Sequence, residues 1–555
     1  MKVLLAFAAC MLFVFHLRAE QPIFRAGIIS DTHVTEEKSS CAMLKNAMAL
    51  FKTKNVDLVI NLGDIAHFYS PAAYRNYRAA VNEIFPVYKS RPKEVFAFAN
   101  HDWIGRKNEP YLNVYNDVKT LLGVGHKPGD IVVFKEYIFV IVPQFYPLES
   151  YRKLMDSAVK ANKENKQIFV IDHSPAFDTV YNSCHEGSYL TRDALSNYPG
   201  IIHLSGHIHG NLANEANIHQ DTYTSVNAGC ISSWAGRLVG NVPCVKPSDM
   251  VLIMEVFEKK VVFRRFFAET GIEYKKDTPW TVSVPFDSND APYNPEKRRE
   301  NSVVPGFSRN SKLDVKVMKD GVTVSFPAAL PGLEVETYCL ELEKKNNGKW
   351  QTFARQDVYG GFETPLNPPE SIVHHFAAAY FESGKEYRVN VKPKNFFGKC
   401  GKSLTAVFTM GKMVSAAIMF ESRNPMQEME FFVGLNGNKP VKLGNDGFYI
   451  LDENWMNTRL VFPESVWQGA EGTRFCLTFD IHTKQGYKEG VTMALCNTVP
   501  GTRVRPRIYS PGGDSGVLRY VIVFEKAEDA QNYILQFGEC DVCKLKFEYV
   551  KIERL

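Results

Sequence analysis

The sequence predicts an α/β domain of layered β-sheets flanked by helices, followed by two all-β sandwich domains, and three patterns carry that expectation. From Phe24 to about Thr270, short apolar runs alternate with longer amphipathic stretches. From about Lys312 onward the period shortens to two, with Asp-Gly and Asn-Gly turns. Between them lies a polar, proline-bearing stretch with no sustained period.

The runs FRAGIIS, VDLVINL, EVFAFA, YIFVIV, QIFVI and GIIHLS read as strands, and CAMLKNAMALFKTK and LESYRKLMDSAVKANKEN as helices. Strand then helix, repeated, argues for a buried, largely parallel sheet with helices on its faces. DMVLIMEVFEKKVVFRRFF closes the region as a hairpin turning at Glu-Lys-Lys. These elements set the α/β domain at 20–270 and a linker at 271–311. LDVKVMKDGVTVSF and YCLELEKKNNGKWQTF read as antiparallel hairpins of a sandwich over 312–411. FCLTFDIHTKQ, GVTMALCN, RYVIVFEK, NYILQFG and KLKFEYVKIERL place a second sandwich, jelly-roll in spacing, over 412–555.

A chain of 555 residues, 45% hydrophobic and 23% charged, has ample material for several cores and none of the balance of a disordered protein. The net charge of +4 gives no global field for nucleic acid or anionic membrane, and no basic run with interleaved aromatics is present. Met1 and Lys2 lead into an apolar run from Val3 to Leu17, followed by Arg18 and Ala19. That is the pattern of a secretory leader over 1–19, cleaved after Ala19, and the run is shorter than the about 20 residues of a spanning helix. The expectation is a secreted or periplasmic protein whose mature chain has no transmembrane span. Export permits disulfides among the cysteines beyond Cys10, and the lone Cys540-x-x-Cys543 pair reads as a local bridge or two thiols.

Chemistry-bearing residues collect after the predicted strands, where open α/β sheets place ligands. Asp31 and His33 follow the first in IISDTH, Asp64 the second in NLGD, and Asn100, His101 and Asp102 the third in FANHD. His173 follows IFVID, and His207 and His209 lie in LSGHIHG. All the candidate ligands offer oxygen or imidazole nitrogen and none a thiolate, a donor set for Mn, Fe or Zn. They are too many for one ion, and adjacent strand ends bring them together on two, about 3.5–4 Å apart with one carboxylate shared.

A lone Gly-Asp after a strand is usually a turn, but the ordered series DxH, GD, NHD, H and GHxH resembles the calcineurin-like metallophosphoesterases over residues 24 to about 267. The resemblance implies that Asp31, His33 and His209 hold one metal and Asn100, His173 and His207 the other, with Asp64 bridging. It implies hydrolysis of phosphomonoesters or phosphodiesters by a metal-bridging hydroxide, with His101 assisting the departing oxygen and Asp102 orienting His101. Two departures stand out. Ala99 replaces the family's usual glycine before the Asn-His pair, and His67 stands where purple acid phosphatases carry a tyrosine.

His67, His126, His185 and His203 are further candidates to line the site, as are Trp234 and Arg237 for an aromatic or anionic group, with packing the competing reading of each. GKEYRVNVKPKNFFGKCGKS resembles the late strand and loop of a fibronectin type III domain. Trp350, Trp455 and Trp467 are candidate contacts for a glycan or cell-surface polymer, against core packing. They carry the alternative reading, an extracellular adhesive or glycan-binding protein with an inactive phosphoesterase-like domain.

Overall fold

The computed structural model describes residues 20–106, 108–127, 129–144, 146–232, 249–411, 417–433, 439–451, 458–484, 491–497, 508–510, 515–526, 532–538 and 543–555. The leader, Trp234, Arg237, Trp455 and Cys540 lie outside these residues, as does the His185 side chain. Among the described residues no helix is long and apolar enough to cross a membrane. The chain divides into two compact units, the first built from residues up to Asn294 and the second chiefly from Pro295–Leu555.

The first unit holds two sheets. Strands β1 (Phe24–Ile29), β2 (Leu58–Asn61) and β3 (Lys93–Phe96) run parallel in the first sheet. The second contains β4 (Ile131–Phe134), β5 (Tyr137–Ile141), β6 (Ile168–Ile171), β7 (Ile202–Ser205), β8 (Ile218–Gln220) and β9 (Thr224–Asn227), in the order β4-β5-β6-β7-β9-β8. The chain then returns to the first sheet as β10 (Met250–Val256), β11 (Lys260–Phe267), β12 (Glu273–Tyr274) and β13 (Trp280–Ser283). β10 lies antiparallel beside β1 and forms with β11 the hairpin expected from DMVLIMEVFEKKVVFRRFF.

Alternation along these strands gives each sheet two apolar faces. Ile29, Val59, Phe96 and Ile253 pack under the helices α1 (Ala42–Thr53), α2 (Pro71–Ile84) and α3 (Tyr111–Leu122). Ile138, Val140, Ile168 and Val170 do the same under α4 (Leu148–Ala161) and α5 (Tyr189–Leu195). The remaining faces meet each other: the Phe24 ring packs edge-on against Tyr137 and Phe139, which stacks on Phe169. The result is helix, sheet, sheet, helix, with the carboxyl ends of β1, β2, β3, β6 and β7 gathered at one rim.

The expected linker at 271–311 is corrected in part. β12 and β13 pair with β11, and Trp280 is fully buried, so the polar segment extends the first sheet. Strands of two and four residues are too short to display a period of two, which hid them in the sequence.

In the second unit, strands Asp314–Met318, Gly321–Pro327 and Ser371–Ala377 form one sheet, and Val335–Asn346, Lys349–Tyr359, Glu386–Asn395 and Leu404–Thr409 another. Val322, Val324, Phe326, Leu340, Leu342, Val389 and Val391, spaced two apart, meet between them as a core. The remaining strands make two six-stranded sheets. Trp467 is at their centre, 1% exposed, with its indole N–H donated to Asn532 Oδ1 at 2.8 Å, so this tryptophan is core and not a glycan contact. Trp350 is partly covered by cations, with the Arg388 guanidinium 4.7 Å from its ring.

Candidate metal centre

The turns after β1, β2 and β7 carry their polar residues in strained backbone. Asp31, His33, Asp64, His207 and His209 have φ of 52°, 43°, 51°, 73° and 51°. This left-handed region costs a residue with a Cβ about 1–2 kcal/mol, and such outliers cluster at functional sites. Close packing enforces the geometry. A Cβ on Gly206 would lie 1.8 Å from Ser30 Oγ, and one on Gly63, at φ +102°, would lie 2.7 Å from Ala99 Cβ and 2.9 Å from His173 Nδ1. Ala99 itself sits in extended backbone and is fully buried, so its methyl is accommodated because the facing residue is glycine.

Three side-chain clusters result among the described residues: His33, His67 and His101 form one, and the other two share a carboxylate. Of these two, one contains Asp31, His33, Asp64 and His209, the other Asp64, His173 and His207, each with ligand atoms within 4.8 Å of one another. Asp64 belongs to both. His209 Nε2 lies 2.9 Å from Asp31 Oδ1 and 3.2 Å from His33 Nε2. His173 Nε2 lies 3.3 Å from Asp64 Oδ2 and 3.2 Å from His207 Nδ1. Asn100 begins a single helical turn after β3, and its Oδ1 is buried with no hydrogen-bond partner among the described residues.

Outer contacts fix the orientation of these groups. His173 Nδ1 donates to Leu62 O at 2.7 Å, which turns Nε2 toward the cluster. Asp31 Oδ2 accepts from Ser30 Oγ at 2.6 Å and from the His207 N–H at 2.9 Å, while Asp64 Oδ1 accepts from the His101 N–H at 2.9 Å. Burial alone would raise both carboxyls, but His209 and His173 hold Asp31, and His173 and His33 hold Asp64, well below the usual range. His173, which burial would lower, is pushed up to about 10 by Asp64 and Asp31. Two ionised carboxylates, convergent imidazole nitrogens and the Asn100 oxygen form an all-oxygen-and-nitrogen set that fits borderline divalent cations.

His101 lies beside this cluster, its ring centroid 4.7 Å from that of His33 and its Nδ1 2.6 Å from the His67 carbonyl oxygen. Asp102 was expected to orient His101, and here the structure differs. Its carboxylate accepts from the N–H groups of Ile65, Ala66 and Ala99 and from Tyr74 Oη. Neighbours on one helical turn point about 100° apart, so adjacency in sequence sends the two side chains in different directions. Asp102 instead ties the β2 and β3 turns together, and burial, aided by the Asp64 charge, raises it to about 7.

Of the other candidates, His67 lies at the site, with its ring stacked on His101 at 5.5 Å. His126 and His203 are structural: the first hydrogen-bonds the Phe96 backbone, and the second is buried inside β7 beside Ser225. Sequence reasoning missed Gln144, whose side chain meets the Asn100 backbone at 2.6 Å. It is a polar residue just past a predicted strand, the same signal that found the ligands.

The family model for calcineurin-like phosphoesterases matches residues 24–211. No curated protein matches the sequence. Among solved structures the chain is similar to a dimetal phosphatase from Danio rerio, at 12% identity over 47% of this chain and 99% of that chain, with a TM-score of 0.31. It is also similar to an uncharacterized Streptococcus pneumoniae protein described as a predicted phosphoesterase, at 11% identity over 47% and 97%, TM-score 0.22. A tandem CBM22 domain from Paenibacillus barcinonensis Xyn10C matches at 8% identity over 46% and 95%, TM-score 0.20. These TM-scores are too low to carry an argument about ligands. The family match, with the Asp and His cluster at the sheet rim, identifies residues 24–211 as a calcineurin-like phosphoesterase domain.

Proposed function

We propose that the protein is an exported, dinuclear-metal phosphoesterase. The observation that carries this is the sharing of Asp64 between two ligand clusters, which provides one carboxylate for two cations. Asp31, His33 and His209 would hold one cation and Asn100, His173 and His207 the other, with Mn, Fe or Zn suited to the donors. Such a pair would supply an activated water and neutralise phosphate oxygens.

The protein's own residues do the rest. The His101 Nδ1–H donates to the His67 carbonyl, which orients the ring, and with both ring nitrogens protonated the Nε2–H would be the proton given to the departing ester oxygen. The His101 backbone N–H simultaneously holds Asp64, so the acid and the shared carboxylate are set by one turn. Burial of Asp31 and Asp64 keeps their negative charges in a low-dielectric surrounding, where attraction for cations is strong.

Export is supported by the leader pattern of residues 1–19. The three- and four-stranded sheets at 314–409 support a fibronectin type III-like sandwich, and the last two sheets a jelly-roll-like one. We assign these domains to holding the catalytic unit near its substrate.

The test is hydrolysis of bis(p-nitrophenyl) phosphate and p-nitrophenyl phosphate by the Mn-loaded protein beside Asp64→Ala and His101→Ala. Turnover of either compound, lost in Asp64→Ala and strongly reduced in His101→Ala, supports the proposal, and the preferred compound assigns diester or monoester specificity. Absence of turnover with Mn, Fe and Zn would overturn it in favour of an inactive domain on a binding protein.

A further inference from the structure

Asn100 and His173, the two residues assigned to the same cation, come from different sheets. Asn100 follows β3 in the first sheet and His173 follows β6 in the second, and no ladder joins those strands. Their separation is therefore not set by a strand ladder. Gln144 spans that gap. It lies just past β5, with its own N–H 3.4 Å from Phe98 O. Its side-chain Oε1 accepts the Asn100 N–H at 2.6 Å, and its Nε2 donates to Ser174 Oγ at 2.9 Å. Ser174 directly follows His173 and donates its own N–H to Asp172 Oδ1 at 3.3 Å.

We infer that Gln144 is a positioning residue for the cation held by Asn100, His173 and His207, a claim that rests on the two-cation reading above. A carboxamide offers an acceptor and a donor on one rigid plane, so one side chain satisfies both turns at once. The orientation of the amide follows from its partner, because a backbone N–H requires the oxygen. Gln144 is 6% exposed, so its carboxamide has little access to bulk water, and losing it leaves the half-buried Asn100 N–H without this acceptor. The Asn100 Oδ1 that would meet the cation is on the same residue. The Gln144 bonds go to Asn100 and Ser174, and the other cation shares only Asp64 with this arrangement, so it depends on Gln144 less directly.

The experiment is equilibrium dialysis of the full chain against Mn alone, with bound metal counted by plasma mass spectrometry. Wild type is expected to take up two Mn per chain. Gln144→Leu keeps the volume but removes both bonds, and is expected to weaken one Mn by about 10–100-fold while affecting the other much less, the usual cost of losing an outer-shell partner. Gln144→Glu keeps the acceptor for Asn100 and accepts from the Ser174 hydroxyl, and should recover most of that loss. Ser174→Ala, which removes only half of the link and keeps the assay available if Gln144→Leu fails to fold, should weaken the same Mn several-fold. Both Mn unchanged in these variants, or both weakened equally, overturns the inference while leaving the two-cation reading intact. Wild type that binds no Mn overturns both.

Discussion

Replacing Gly63 by alanine tests whether the centre depends on a close approach between the turns after β2, β3 and β6. The new Cβ would lie 2.7 Å from Ala99 Cβ and 2.9 Å from His173 Nδ1, on a backbone at φ +102°. The left-handed conformation costs about 1–2 kcal/mol. Overpacking in a fully buried site adds about 1–3 kcal/mol. The sum, about 2–5 kcal/mol, is a large part of a domain's stability. The imidazole cannot retreat without breaking its 2.7 Å bond to Leu62 O, so the strain acts on a residue of the cluster. Urea denaturation should therefore show a loss of that size, and metal uptake should fall with it. Adding Ala99→Gly to Gly63→Ala removes the first contact and leaves the second, so it should restore part but not all of the stability, a non-additive pair. A Gly63→Ala protein within about 0.5 kcal/mol of wild type would refute the packing argument.

His101→Ala should lower kcat by about 10²–10⁴-fold with metal content unchanged, read by steady-state kinetics beside elemental analysis. Trp467→Ala should cost the carboxy-terminal sandwich about 3–5 kcal/mol in thermal unfolding and leave turnover per folded molecule at the wild-type value. Acid stability carries a sign: burial drives His203 from its ordinary 6.5 down to about 3, so the unfolded chain binds the proton first. The stability from its neutral form is therefore fully present above pH 6.5 and lost as pH falls toward about 3. At 1.36 kcal/mol per unit the loss approaches about 5 kcal/mol, and pH-dependent denaturation of His203→Gln should show a flatter profile over that window.

Much of the centre was legible because its chemistry is concentrated at strand ends. Asp31, Asp64 and His207 each follow an apolar run, and a sheet places the ends of successive runs side by side. The strands from FRAGIIS to GIIHLS were legible for the same reason, their burial on both faces making continuous apolar runs. The failures have their own causes. β8 and β12 have three and two residues and show no period. Asp102 pairs with His101 in sequence only as its neighbour, whereas a helical turn directs one side chain to the backbone of the turn after β2 and the other to the cluster. Gln144 stands just past a strand as the ligands do, but its importance lies in joining Asn100 to Ser174, residues 44 and 30 positions away. That relation exists only after two sheets have packed.

The central claim, that one rim of this domain holds two cations on a shared Asp64, is tested most directly by the metal content of wild type and Asp64→Ala after equilibrium dialysis against Mn. Two Mn per wild-type chain, with binding of both lost or greatly weakened in the variant, is the expected result. A single Mn per chain, or a variant that binds as wild type does, would contradict the account.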